Sequence, residues 1–477
     1  VNGANMYIGK ATGFGQKFTP PEPSPYLKFL EPLCKDQQRS FVTLRLIRDD
    51  IKRNINNKIK RPNDQLYNEA LRRACRAFSL PERAKMMHLN DVFKQDLPIW
   101  SSSPGLPWMN LGYKTKRDIR DDIDAIQKVR LFWHRIKAGE KLGLPDCCAY
   151  VRSHIAKKGT TKVRAVWGYP ATVTFGEAVF ALPLIKAYKS APIGSYPIAY
   201  GYETGHAGCK RILNSFKGAY FLGLDFKNFD KTLPPWIIED AFDILAYNIN
   251  FVEYEDYGVA RAADMIKMFH VLRDYCIHTK IRMCNGERYL KSSGLASGSY
   301  FTQLIGSICN YILLVYASLK IGVEPTSILV FGDDSLLGLP FGCTPDEYAD
   351  ALQHLGMVVN IEKSGFSKYL QRLSFLGYVI NDGFPLRKRE KQFAALVYPE
   401  RQDECWDIVA SRAMGILYAN FGIDPVVDFW CREIVKFRPF DLMLSRDQLR
   451  FVNMLGITDI TNTPPTMSDL ARRLGFY

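Results

Sequence analysis

Two carboxylates stand side by side at Asp333 and Asp334, after Gly332 and between the apolar runs 327–331 and 335–339. This is the pattern of a β-hairpin whose corner carries two like charges. Taken alone, such a corner also suits an ordinary solvated turn. Crowding two carboxylates out of water is costly unless a cation joins them, and a divalent metal held by oxygen ligands is the simplest candidate. A second acidic strand end lies upstream, where Tyr220-Phe-Leu-Gly-Leu runs into Asp225, with Asp230 following. If that strand lies beside the hairpin, Asp225 and Asp333 converge. They could then share two metal ions roughly 3.5–4 Å apart, the clamp that stabilises attacking and leaving oxygens in phosphoryl transfer. Mg2+ suits such a site because it keeps waters and takes its remaining ligands from substrate phosphates.

Between the two acidic strands lies Ser297-Gly298-Ser-Tyr-Phe-Thr302-Gln303. A Gly-rich loop opening a helix lets backbone approach a nucleotide closely, while hydroxyls and the helix start offer donors. In this order, Asp225 with Asp230, Ser297 to Gln303, and Gly332-Asp333-Asp334 resemble the A, B and C motifs of viral RNA-dependent RNA polymerases. The wording of Ser297–Gln303 and of Ser102-Ser-Pro-Gly-Leu-Pro-Trp108 is most similar to the partitivirus-type enzymes of double-stranded RNA viruses. With its flanking motifs the resemblance spans about residues 100 to 390.

The resemblance implies roles residue by residue. Asp225 and Asp333 would be the main ligands of two Mg2+ ions, with Mn2+ able to substitute, and Asp334 would tune the site or contact one ion. Lys162 and Arg164 lie in Lys157–Trp167, which resembles the F motif over the incoming nucleotide. On a strand they share a face, since side chains repeat every second residue, and Arg can bind phosphate bidentately. Lys363, in a stretch like the D motif, would give a proton to departing pyrophosphate. Asp230, with Ser297, Gly298 and Thr302, would bind the nucleotide and sense its ribose. A bulky aromatic at 230 would exclude the 2′-hydroxyl, so Asp favours ribonucleotides over deoxyribonucleotides. Ser102, Pro104 and Gly105, in a turn expected to expose hydroxyls and amides, resemble the template-guiding G motif. Arg387, in a hairpin expected to turn at Asn381-Asp-Gly383, resembles the E motif that grips product RNA. One departure stands out: many relatives carry Asn four residues after the B-motif Thr, where this chain has Gly306, and its nearest downstream Asn is Asn310.

These residues need a scaffold, and hydrophobic periodicity outlines it. Helices are expected at 64–78, 118–139, 174–189, 235–250, 261–277 and 346–355, with strands at 283–290 and 358–364. The apolar run 304–319 is short of the ~20 residues that span a bilayer and reads as a core helix. Beyond 392 the pattern is helical, with Trp406, Met414, Tyr418, Phe429 and Trp430 as expected core. The fold class expected is α+β, mixed and helix-rich. The resemblance implies a right hand with an RRM-like antiparallel palm sheet: 1–60 an N-terminal arm bridging fingers and thumb, 61–219 fingers, 220–250 palm, 251–289 fingers, 290–385 palm and 386–477 thumb.

Composition agrees without deciding. The chain has 477 residues, 47% of them hydrophobic, which excludes wholesale disorder, and its net charge of +14 suits a polyanionic partner. Its eleven cysteines include no Cys-x-x-Cys pair and read as reduced thiols rather than a zinc site or disulfide framework. No signal peptide and no membrane contact are expected. RNA template and product, ribonucleoside triphosphates and a viral capsid protein are the expected partners, in a virion interior or host cytoplasm. A reverse transcriptase-like enzyme and a noncatalytic basic RNA-binding protein are the competing readings. The first favours an aromatic where Asp230 stands, and the second leaves the carboxylates unexplained.

Overall fold

Four short apolar strands build the sheet that carries the acidic residues. In the computed structural model, which describes residues 6–54 and 58–476, Ser327–Phe331 and Asp334–Leu339 form an antiparallel hairpin with Phe331 opposite Asp334. Part of the expected arm and of the basic stretch before Lys60 lies outside the described residues. Tyr220–Gly223 pairs antiparallel with Asp334–Leu339, and Gly365–Ser367 pairs antiparallel with Tyr220–Gly223 on its other side. Numbered along the chain, the four strands lie in the spatial order second, third, first, fourth.

The helix Thr302–Ile321 leads into the hairpin and packs on its first strand and on the helices Gln65–Ala77, Pro235–Tyr247 and Pro345–Gln353. At 20 residues it is longer than the sequence suggested, and is the one helix among the described residues long and apolar enough to cross a bilayer. Its neighbours bury it instead, so its apolarity is that of a core element.

A second sheet of five strands runs in the order Tyr7–Lys10, Glu287–Leu290, Lys280–Arg282, Cys147–Ser153, Val163–Gly168. In its last strand, buried Val163, Ala165 and Trp167 alternate with exposed Arg164, while Lys162, expected on the same strand, is exposed just before it begins. The C-terminal helices Arg389–Val397, Trp406–Asn420, Pro425–Phe437, Arg446–Met454 and Met467–Arg473 enclose a separate core around Phe393, Met414, Leu417 and Cys431. Phe429, expected in that core, is 53% exposed, its ring edge-on to Trp430. The N-terminal segment links the two regions. Ala11 N donates to Gly286 O and Ser24 N to Val397 O, while Leu27, Leu30 and Cys34 enter the C-terminal core.

Four expected elements differ. Of the strand foreseen at 283–290 only Glu287–Leu290 forms, because the chain turns at 284–285 and pairs back on Lys280–Arg282. The helix foreseen at 118–139 splits into Lys116–Arg120 and Ile123–Lys137, because Asp121 ends the first and Asp122 caps the second by accepting from Asp124 N. The strand foreseen at 358–364 is only Val358–Val359, after which the chain turns. The hairpin foreseen to turn at 381–383 holds a tighter one inside it: Ser374–Phe375 pairs with Tyr378–Val379 through left-handed Leu376 and Gly377. A bridge from Val379 to Leu386 closes the outer turn. All eleven cysteines are free thiols.

Candidate active site

Strand register brings the acidic residues together. Leu222 lies opposite Leu337, so continuing that pairing along both strands draws Asp225 level with Asp334 at the open end of the sheet. The corner between the hairpin strands is tight, with Gly332 at φ +60°, a conformation that suits glycine. Asp225 is held from below by the turn after Val359: Asn360 N donates to Asp225 O at 2.7 Å, and Asp225 N donates to Ser364 Oγ at 2.9 Å. Sequence reasoning missed Asn360 and Ser364, which act through the main chain and carry no charge to flag them.

The electrostatics record the convergence. Burial raises the Asp225 pKa, opposed by the nearby cations Lys363, Lys162 and Arg164. Asp230 is pushed up to about 6 by burial and by the Asp333 charge. Asp333 reaches solvent at the tip of the corner, yet the protein crowding its flanks raises its pKa against the pull of Arg164. Asp334 is pushed up to about 7 by burial and by Asp333 and Asp225. Burial and the neighbouring charges of Arg164 and Lys363 lower the Lys162 pKa. Four carboxylates and three cations thus face one another across one space, yet the salt bridges among the described residues include none between the two sets.

Among the described residues, no three His, Cys, Asp or Glu side chains stand close enough to hold an ion by themselves. The donor chemistry nonetheless fits a hard divalent cation that keeps positions open for water and phosphate oxygens. Asp225, Asp333 and Asp334 offer oxygen ligands, and on top of burial the Asp225 charge raises the pKa of Asp333 while Asp333 and Asp225 both raise that of Asp334, a crowding that a cation would relieve.

The Gly-rich loop is positioned from both ends by buried ionisable side chains that the sequence did not single out. Lys291 Nζ donates to Cys276 O, Ile277 O and Gly294 O at 2.6–2.8 Å. Glu177, from the helix Ala171–Ser190, accepts from Ser299 Oγ and from Tyr300 N, and burial pushes its pKa up to about 8. Gly298 lies so close to the basic strand that a Cβ there would meet Trp167 O at 1.7 Å. Ser297 Oγ accepts from Trp167 N, and Thr302 Oγ1 donates to Ala296 O. Neither hydroxyl is paired with Asp230: the main chain of the basic strand engages Ser297 Oγ, and the loop's own main chain engages Thr302 Oγ1. Asp50 is a further residue the sequence did not flag. It accepts from Ala165 N and pairs with Lys231 at 2.9 Å, tying the cationic strand to the segment bearing Asp230.

The remaining expected site residues are more enclosed. Pro104 and Gly105 are buried, Pro104 O accepts from Ala171 N, and Ser102 Oγ accepts from the buried Lys116 Nζ at 2.7 Å. The turn therefore presents fewer free groups than its composition suggested. Arg387 lies between the rings of Tyr378 and Phe451, 4.5 and 5.0 Å from their centroids. This stacking half-buries it and ties the small hairpin to the C-terminal helices.

A sequence profile described as viral RNA-dependent RNA polymerase matches residues 29–424. The chain belongs to this family. Among curated relatives, the RNA-directed RNA polymerase of Atkinsonella hypoxylon virus is 26% identical over 337 residues, covering 60% of this chain and 50% of that protein. The RNA-directed RNA polymerase of Cryptosporidium parvum virus 1 is 26% identical over 347 residues, covering 67% and 62%. That of White clover cryptic virus 1 is 24% identical over 291 residues, covering 56% and 47%. The chain thus spans about half to three fifths of the length of these relatives.

Proposed function

We propose that this chain is an RNA-directed RNA polymerase that replicates and transcribes a viral RNA genome. The observation that carries the reading is the antiparallel register between Tyr220–Gly223 and Asp334–Leu339, which brings Asp225 to the Asp333-Asp334 corner. The sheet's order of second, third, first, fourth, with helices in the connections, is that of an RRM-like unit and supports the palm assignment. On this reading 220–250 and 290–385 are palm, 61–219 and 251–289 fingers, 386–477 thumb, and 1–60 the arm bridging fingers and thumb.

Lys162 and Arg164 would bind the triphosphate from the face opposite the carboxylates. Asp225, Asp333 and Asp334 would hold two Mg2+ ions. Bound there, the ions would supply the positive charge that lowers the pKa of the growing 3′-hydroxyl and offsets charge on the leaving pyrophosphate. Lys363, beside Asp225, would donate a proton to the departing oxygen. Asp230 is free to accept from a ribose hydroxyl. Ser102 and Arg387 would act on template and product through the elements they brace. On the same reading the partner would be a viral capsid protein and the site of action the virion interior or host cytoplasm, which the viral origin of the relatives supports.

The test is incubation with an RNA template, four ribonucleoside triphosphates and Mg2+. Template-length RNA with release of pyrophosphate is expected, abolished in Asp333→Ala. Binding of RNA without synthesis would overturn the proposal.

A further inference from the structure

Gly306 stands where many relatives carry Asn, and the structure gives the nearest downstream Asn, Asn310, a different set of partners. Along the helix Thr302–Ile321, residues 303, 306, 307 and 310 share one face, and that face lies against the acidic corner. Gly306 lies against the corner, where a Cβ would make ordinary contact with Gly332 Cα at 3.6 Å. Ser307 Oγ accepts from Gly332 N at 2.8 Å and donates to Gln303 O at 2.7 Å. Asn310 Nδ2 donates to Gly332 O at 2.9 Å and to Asp334 O at 3.2 Å.

We propose that Asn310 is a positioning residue for the acidic corner, gripping the main chain on both sides of Asp333 so that the Asp333 and Asp334 carboxylates point into the site. The inference rests on the polymerase reading above. Asn310 is completely buried and both hydrogens of its amide are committed, so it has none left to donate to a nucleotide, while its Oδ1 is buried without a partner among the described residues. Its orientation is fixed, because the flipped amide would set its oxygen against two carbonyls. A two-residue corner has few main-chain bonds of its own, and three of this corner's polar groups are satisfied by the helix instead. Removing the amide leaves the carbonyls of Gly332 and Asp334 without that donor in a buried setting, which favours rearrangement of the corner.

Groups that orient metal-binding side chains typically change affinity or activity roughly 10–100-fold when lost. For Asn310→Ala and the similarly sized Asn310→Leu, we expect kcat for nucleotide incorporation to fall in that range. KM for the nucleotide and discrimination against deoxyribonucleotides should hold. Mn2+ titration of the nucleotide-free full chain by electron paramagnetic resonance should show weaker binding, a readout independent of catalysis. Ser307→Ala, which removes one hydroxyl, should shift both measures less and in the same direction, and keeps the test open if the Asn310 variants do not fold. Wild-type kcat and Mn2+ affinity in folded variants would overturn the proposal. So would lost ribose discrimination with Mn2+ affinity unchanged, since Asn310 would then be reading sugar. If the wild-type chain makes no RNA, the polymerase reading fails, while the Mn2+ titration still judges the clamp.

Discussion

Glu177 shows how much one side chain can be asked to do in a buried place. Its carboxyl accepts from Ser299 Oγ and Tyr300 N, and burial holds its pKa at about 8, well above the ordinary 4.5. Between those two values the folded chain binds a proton that the unfolded chain has lost. This group's contribution to stability is therefore full below about pH 4.5 and is lost as pH rises through about 8. Glu177→Gln should remove the dependence, so the variant's melting temperature should gain on wild type as pH climbs from 5 to 8.5, checked by thermal denaturation across that range. At the acidic site, Asp225→Asn and Asp333→Asn should reduce nucleotide incorporation to background. Each removes one of several like charges, so melting temperature should hold or rise, which calorimetry can follow. Asp230→Ala should weaken the preference for ribonucleotides in competition with deoxyribonucleotides; unchanged selectivity would count against its ribose role. The acidic residues were legible because unusual charge stood at strand ends. Glu177, Lys291 and Asn310 were not, since a polar residue inside an apolar helix or loop gives no sign of which distant main chain it will meet.

At the scale of elements, the acidic hairpin and its partner strand could be foreseen from short apolar runs ended by Asp. Their adjacency could be supposed only on condition that the strands pair, because register is set by packing over long sequence separation. The small hairpin after Leu373 was half legible. Asn-Asp-Gly marked the outer turn, while the inner turn at Leu376-Gly377 places a non-glycine residue in the left-handed region, where composition gives no warning. The loop before Thr302–Ile321 is the element most constrained by close approach. Gly298→Ala would drive a methyl into Trp167 O, so the loop must move, at a cost of about 1–3 kcal/mol. A lower melting temperature and poorer nucleotide incorporation are expected together, whereas an unchanged loop would leave both as in wild type.

At the scale of the molecule, the largest hydrophobic core and the C-terminal one are joined by the N-terminal segment and by residues such as Arg39. The Arg39 guanidinium donates to Tyr398 O and Ser153 O, joining the C-terminal helices to the five-stranded sheet. Arg39→Ala should loosen that junction, detected as faster limited proteolysis with the two cores still folded. The net charge of +14 implies that RNA affinity falls steeply with salt, and filter binding at graded ionic strength measures the slope. The helix-rich mixture and the helical C-terminal region were visible in the sequence. That the first and last parts share a core was expected only by resemblance, because nothing in a run of apolar residues names its partner.

That shared core has a consequence for how the chain is made. Leu27, Leu30 and Cys34 share their core with the helices from Arg389 onward, so that segment, once off the ribosome, must wait until those helices are made before its apolar side is covered. Closing so long a loop is slow. A chain halted before those helices would show the same sticky face that a chain shorn of its early segment would uncover on the other side, and both would be natural substrates for chaperones.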